Sequence, residues 1–133
     1  MSQENVEMFR GYIEAINQGD PDAVFDLCDA EIEFREDPKF PDAQVYRGRD
    51  EVERNYREFT ASFDYYRYEI EDVRDAGGDK VMAVLREQAR GKASGLTVDR
   101  RSGWVITFRK DKVLSFEIYL DPADAREAVG LRE

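Results

Sequence analysis

The hydrophobic periodicity of this chain changes once, near Phe63, and this change restricts the fold more than any other feature of the sequence. Before Phe63, apolar residues recur every three or four positions, which is typical of helices with one buried face. After it, apolar and charged residues alternate, as from Tyr66 to Glu71, and glycine-containing turns separate the runs. Helices followed by successive strands predict an α+β domain whose strands form an antiparallel meander.

The helical half of the sequence predicts three helices and one strand. Two of the helices are Gln3–Gln18 and Pro21–Cys28. A third is expected to start in a capping box at Asp50. Between the second and third helices, Ile32 and Phe34 alternate with charged residues, which indicates a strand that ends before Pro38. The segment 39–47 is expected to be irregular.

The second half predicts four strands and a short final helix. The strands are expected around Tyr66–Glu71 and at Lys80–Arg90, Leu96–Arg109 and Val113–Leu120. The final helix begins at Asp121-Pro122 and ends near Gly130. The run Val81–Leu85 is apolar on both faces of its strand, so that strand is expected to be covered on two sides.

Length and charge exclude several classes of protein. A chain of 133 residues is expected to form one domain, residues 1–133. Its 30 acidic and 20 basic residues give a formal net charge of −10, which repels nucleic acid and anionic membranes. No apolar run is long enough for a membrane helix, and the polar start of the chain is unlike an export signal. We therefore expect a cytoplasmic protein.

The absence of histidine limits the available chemistry. Without histidine and with Cys28 as the single cysteine, no Ser-His-Asp or Cys-His relay and no ordinary zinc site can form. The sequence also has no acidic loop typical of calcium sites, so we expect no metal and no cofactor. Any acid–base chemistry would fall to carboxylates, tyrosine or lysine. Cys28 is expected to pack in the interior.

Three segments carry a resemblance to a known family. They are Tyr12–Asp20, Val45–Gly48 leading into the third helix, and Trp104–Arg109. The elements of the chain follow the order helix, helix, strand, helix and then four antiparallel strands. In these the chain resembles the NTF2-like superfamily, and within it the SnoaL-like branch of steroid delta-isomerases and polyketide cyclases. Its ending, Tyr119–Pro122, looks like that of actinobacterial members of unassigned function. One such scaffold hosts unrelated chemistries.

The resemblance implies a curved antiparallel sheet, or cone, that is covered by the N-terminal helices. Its concave face would hold a small apolar molecule, and its convex face would pair two subunits in a homodimer, which would explain the doubly apolar strand. The ligand-binding residues implied in this way are Phe9, Phe34, Phe59, Trp104, Ile106, Phe108, Phe116 and Ile118, with Tyr12 at the pocket wall and Arg86 as a further candidate.

Three catalytic residues are implied by the steroid-isomerase branch, in which an aspartate base moves a proton beside a carbonyl. Tyr12 matches the tyrosine that donates a hydrogen bond to the enolate oxygen. Glu36 matches the base by strand parity with Phe34, and Asp37 matches it by adjacency to proline, so both stay candidates. Trp104 stands where the second oxyanion acid belongs, which disfavours steroid isomerisation itself because that donor is lost.

Three functional hypotheses follow from the sequence. The first is a cofactor-independent isomerase, cyclase or hydrolase that uses Asp37 or Glu36 as base and Tyr12 as hydrogen-bond donor. The second is a non-catalytic binding or interaction module that uses the same cavity or the dimer face. A purely structural role comes third.

Overall fold

A computed structural model describes residues 2–131 as an α+β fold. Its helices are α1 (Ser2–Gln18), α2 (Pro21–Asp26), α3 (Arg49–Ala61) and α4 (Pro122–Ala128). Its strands are β1 (Cys28–Arg35), β2 (Val45–Arg47), β3 (Phe63–Gly77), β4 (Lys80–Gly91), β5 (Thr97–Arg109) and β6 (Lys112–Tyr119). The predicted order of elements is confirmed. The segment 39–47 was predicted to be irregular, which is wrong at its end, because β2 lies there.

Asp-Pro pairs start two of the helices, as the sequence predicted. The side chain of Asp20 accepts a hydrogen bond from the Ala23 amide at 3.2 Å at the start of α2. Asp121 accepts one from the Ala123 amide at 2.9 Å at the start of α4. In each case proline occupies the first turn, where its missing N–H costs nothing. The capping box predicted for α3 is wrong, because Gly48 is its N-cap and no side chain caps that end.

The six strands form one mixed sheet in the order β2-β1-β6-β5-β4-β3. Strands β3 to β6 make the predicted antiparallel meander, with Lys110 and Asp111 at positive φ in the two-residue turn before β6. The expectation of a fully antiparallel sheet is wrong at one pair, because β1 runs parallel to β6. β1 comes from the helical half of the chain and joins the meander at its free edge, beside the last strand.

Breaks in strand register give the sheet its curvature. The pairing shifts between Ile70 and Asp72 on β3 and between Thr107 and Phe108 on β5. An extra residue in one strand bends it and increases the local twist. The sheet thus has a concave face covered by α1, α2 and α3, and an opposite, convex face.

The doubly apolar strand β4 is covered on both sides by this chain alone. Val81, Ala83 and Leu85 join the large core under α1. On the convex face, Met82 and Val84 belong to a second cluster that includes residues of β5 and of helix α4. A partner subunit was expected to cover the convex face of this strand. That expectation is corrected, since α4 of the same chain buries this face.

Candidate ligand-binding site

An internal cavity of about 100 Å³ lies between the helices and the concave face of the sheet. Its lining residues come from α1, α3 and four strands: Tyr12, Ile16, Phe34, Val52, Asn55, Tyr56, Phe59, Tyr66, Tyr68, Trp104, Phe116 and Ile118. Eight of these twelve are aromatic, and none carries a formal charge. This inner cavity is thus an aromatic chamber with phenol groups and one amide as its polar atoms.

Contacts between the rings build the wall of the inner cavity. Phe34 stacks on Phe116 with ring centroids 4.6 Å apart, and Tyr68 meets Trp104 edge to face at 5.3 Å. The indole N–H of Trp104 donates a hydrogen bond to Ser102 Oγ at 3.0 Å, so its polar atom is satisfied within β5.

Burial holds the phenols of Tyr12, Tyr56 and Tyr68 in their neutral form. Tyr56 and Tyr66 share a hydrogen bond between their hydroxyl groups at 3.2 Å. Burial raises the pKa of Tyr56, and the bond to Tyr66 raises it further. Burial is also the main reason why the pKa of Tyr68 is raised, and the charge of Glu87 adds to it.

Tyr12 lies in the wall of the inner cavity, as predicted, and is buried. Burial, followed by the nearby Cys28 thiol, raises the pKa of the Tyr12 phenol well above its ordinary value. Burial likewise raises the pKa of Cys28 to about 12, and its Sγ donates to the Val24 carbonyl at 3.4 Å. The prediction that Cys28 packs in the interior is confirmed.

A second, more open space adjoins the inner cavity. This outer recess has a volume of about 440 Å³ and shares Phe34, Asn55, Phe59, Tyr68 and Ile118 with the inner cavity. Its other lining residues include four carboxylates and one guanidinium, namely Glu36, Asp37, Asp42, Glu87 and Arg100. The two spaces together form an apolar chamber with an acidic antechamber.

Both carboxylates predicted as the base line the outer recess, and neither lines the inner cavity. Asp37 is buried, and its two oxygens accept hydrogen bonds from the amides of Lys39 at 3.0 Å and Leu120 at 3.1 Å. It thereby fastens the loop after β1 to the end of β6. Glu36 Oε1 accepts the Gln44 amide at 3.0 Å.

Glu87 is a third acid of the recess, and the sequence-based site did not include it. Its carboxylate is 12% exposed and pairs with Arg100 on the neighbouring strand at 3.3 Å. Strand parity could have identified it, because Glu87 is two residues beyond Leu85 and so shares the concave face of β4. Its neighbour Arg86 accordingly points the other way.

The structure brings most, but not all, of the predicted ligand-binding residues to the inner cavity. Tyr12, Phe34, Phe59, Trp104, Phe116 and Ile118 line it. Phe9, Ile106 and Phe108 are buried in the core instead. Arg86 lies on the convex face, where its guanidinium makes two bonds of 2.8 Å to Asp99.

The residues that the sequence-based site omitted lie mainly on two patterns already visible in the sequence. Val52 and Tyr56 belong to the apolar stripe of α3, and Tyr66 and Tyr68 alternate along β3. Asn17 fixes β3 to α1, because its side-chain amide donates to the Tyr68 carbonyl and accepts from the Tyr68 amide, both at 2.8 Å. This pairing holds Tyr68 against the cavity.

Residues 2–131 contain neither a cluster of metal ligands nor a helix able to span a membrane. In this part of the chain no three His, Cys, Asp or Glu side chains lie close enough together to hold a metal ion. None of the helices described has the length and apolar character needed to cross a membrane.

A six-stranded open sheet with N-terminal helices over its concave face defines an NTF2-like fold, and comparisons with solved structures agree. The chain belongs to the SnoaL-like domain family, which matches residues 9–116. The predicted superfamily and branch are thus confirmed, while the narrower actinobacterial grouping stays a prediction. No curated protein matches the sequence.

Three solved structures illustrate the likeness. An NTF2-like protein of Burkholderia thailandensis E264 has 26% identity and a TM-score of 0.75, with 93% of this chain and 95% of that chain covered. A ketosteroid isomerase-like protein of Catenulispora acidiphila, in complex with trimethylamine, has 15% identity, a TM-score of 0.75 and coverage of 95% and 94%. TerC, co-crystallised with polyporic acid, has 14% identity, a TM-score of 0.75 and coverage of 96% and 98%.

Proposed function

We propose that this protein binds a small, largely apolar molecule whose apolar part fills the inner cavity and whose polar part lies in the outer recess. One observation carries the proposal: eight of the twelve residues around the inner cavity are aromatic and none is charged. Concave sites with apolar walls and a few polar groups are where small molecules bind.

The size of the site limits the ligand. An apolar cavity of about 150 Å³ accepts benzene, so the inner cavity of about 100 Å³ takes a group somewhat smaller than that ring. A larger ligand has to extend past Phe34 and Phe59 into the recess of about 440 Å³. The fold also accommodates small molecules in other members, since trimethylamine and polyporic acid accompany two similar structures.

The fluorescence of Trp104 offers a direct test, because Trp104 is the only tryptophan of the chain and lines the inner cavity. We expect small apolar and aromatic compounds to change its emission saturably and to raise the melting temperature by mass action. Ile118→Phe fills the cavity mouth and should abolish both effects. Glu14→Gln, on the exposed side of α1, should leave them unchanged.

An acid–base enzyme is the second candidate function. It is favoured by the position of Glu36 and Asp37, whose recess shares a wall with the inner cavity. In this proposal Asp37 or Glu36 is the base for an isomerisation, cyclisation or hydrolysis, and Tyr12 donates a hydrogen bond to developing charge. Each variant has to be shown to fold as the native chain does, because Asp37 also accepts hydrogen bonds from two backbone amides.

The amide variants Glu36→Gln and Asp37→Asn separate the two candidate functions. If the protein is an enzyme, at least one of them loses turnover. That variant still binds ligand, with the same change in Trp104 emission as the native chain. If the protein only binds, both keep the affinity of the native chain. Turnover that persists in both variants would reject the assignment of the base.

A homodimer through the convex face and a cytoplasmic location stay part of the proposal. Outside the patch under α4, the convex face carries cross-strand ion pairs such as Arg86 with Asp99 and Arg47 with Glu33. A dimer across this face would therefore be polar and salt-sensitive. Light scattering at low and high salt tests it, and a monomer at micromolar concentration in both would contradict it.

A further inference from the structure

We propose that the ligand of this site is an organic cation, a small alkylammonium group whose apolar substituents sit among the aromatic rings. This inference rests on the proposed function and narrows its ligand class. It is drawn from two features of the same site: the aromatic wall of the inner cavity and the excess of carboxylates in the outer recess.

The aromatic wall suits a cation on several sides. Rings come from α1, α3, β1, β3, β5 and β6, namely Tyr12, Tyr56, Phe59, Phe34, Tyr66, Tyr68, Trp104 and Phe116. The negative face of an aromatic ring attracts ammonium groups, and cages of such rings recognise quaternary ammonium ligands. Among residues 2–131, no lysine or arginine lines the inner cavity, so a cation among the rings has to come from a ligand.

The outer recess adds negative charge next to this wall. Four carboxylates and one guanidinium line it, which gives a formal charge of −3. The charge of Glu87 reaches the inner cavity, because it raises the pKa of the Tyr68 phenol, and Tyr68 lines both spaces. Charges in a cleft with low-dielectric walls are felt more strongly than charges on an open surface.

An anionic ligand fits the same geometry poorly. Of the residues that the structure describes, Arg100 is the one cation in the lining of the recess, and it is already paired with Glu87 at 3.3 Å. An anion would have to compete with that carboxylate and would face the remaining three acids. The net charge of −10 on the whole chain also slows the approach of anions and favours that of cations.

The test compares three ligands of one shape and different charge. Choline is the cation, and because its trimethylammonium group is larger than the inner cavity admits, its methyl groups enter the cavity while the nitrogen lies at the border with the outer recess. Its analogue with carbon in place of nitrogen is the neutral control, and the carboxylate with the same branched carbon skeleton is the anion. Binding is followed by Trp104 fluorescence and by isothermal titration calorimetry. We expect choline to bind at least tenfold more tightly than the neutral analogue, and the carboxylate to be the weakest of the three.

Two variants test whether the charges of the outer recess cause the preference for choline over the neutral analogue. Glu87→Gln should weaken the binding of choline about three- to tenfold and leave the affinity for the neutral analogue unchanged. Arg100→Gln should strengthen the binding of choline. Glu14→Gln removes the same charge from the exposed side of α1 and should have no effect. Melting curves without ligand identify any variant that is not folded, and the opposite sign expected for the two recess variants cannot arise from unfolding.

The outcomes distinguish this inference from the proposed function. Equal or tighter binding of the neutral analogue overturns the proposal that the ligand is a cation, and it leaves the proposal of apolar binding intact. Tightest binding of the carboxylate also overturns it. If none of the three binds while other apolar compounds change the Trp104 signal, the cation is rejected and the proposed function stands. If no apolar compound changes that signal either, both are rejected.

Discussion

Two helices cover opposite faces of the sheet, α1 the concave face over β3 and β4 and α4 the convex face mainly over β5, and they do so in different ways. On the concave side, α1 lies over large rings such as Trp104 and leaves an inner cavity of about 100 Å³. On the convex side, α4 lies close against β5, where Gly103 has no side chain to hold it off. Side-chain size at the contact thus decides whether a helix closes a sheet face or leaves a chamber above it.

The two faces therefore have different tasks in this account. The concave face accepts imperfect packing, which costs stability but leaves room for a ligand. The convex patch of Met82, Val84, Val105 and Ala125 is tightly packed and adds stability without a space for function.

Gly103→Ala should give the largest loss of stability, about 2 to 3 kcal/mol, because overpacking of a tight contact forces the backbone to move. An added Cβ would lie 2.5 Å from Ala125 Cβ and 2.9 Å from Pro122 Cα. Urea unfolding measures the loss. Gly11→Ala is the matched control, since nothing lies within 4 Å of its added Cβ, and it should be neutral or stabilising. Equal stability of the two variants would contradict the close contact.

Asn17→Ala should cost about 2 kcal/mol and act on the concave face. The variant removes two hydrogen bonds of 2.8 Å to the backbone of Tyr68, each worth about 1 kcal/mol, and leaves those backbone groups unpaired. It should also weaken the Trp104 response to ligand, because Tyr68 loses its anchor. The neighbouring exposed Gln18→Ala is the control. A cost below about 0.5 kcal/mol would show that Asn17 does not hold β3.

Stability should fall at alkaline pH through Cys28. Its pKa is raised to about 12 in the folded protein by burial, whereas the unfolded thiol ionises near its ordinary value of about 8.5. Between these values the unfolded state releases the proton and the folded state keeps it, so the free energy of unfolding decreases as pH rises. Below pH 8 or so this effect is absent.

The Cys28 effect is isolated by comparison with Cys28→Ala. We expect the stability advantage of the native chain over the variant to shrink by about 1 to 2 kcal/mol between pH 8 and pH 10. Urea unfolding at a series of pH values measures it. A constant difference across this range would mean that the thiol is not buried in the folded state.

The smallest expected effect is the coupling between the two phenols of the inner cavity. Tyr56→Phe, Tyr66→Phe and the double variant form a cycle around the hydroxyl contact of 3.2 Å. We expect a coupling energy of about 0.5 to 1 kcal/mol, the ordinary net value of a neutral hydrogen bond. A coupling of zero would place the two hydroxyl groups apart and open the chamber at that side.

The order of elements could be predicted from the sequence because local signals determine it. Helical spacing, Asp-Pro caps and strand alternation each operate within a few residues, and Asp20 and Asp121 cap their helices as expected. The parallel pairing of β1 with β6 could not be predicted in the same way, because it joins residues such as Phe34 and Phe116 that are far apart in sequence.

The site was predicted in part for a similar reason. The family resemblance implied Trp104, Phe116 and Ile118 as pocket residues, and the structure places all three in the lining of the inner cavity. The actual partners of Asp37 and Arg86 depend on contacts that local patterns do not encode. Asp37 bonds to the distant Leu120 amide, and Arg86 lies on the convex face beside Asp99. The cover of β4 by α4 depended on Gly103, whose role is visible only once the two elements meet.

Diffraction from a crystal pressurised with xenon tests the central claim most directly, because a dry apolar cavity binds this gas. The account predicts a xenon peak in the inner cavity among Tyr12, Trp104 and Phe116, and a much weaker one after Ile118→Phe. An interior in which side chains fill that space, with no xenon bound, would contradict the account.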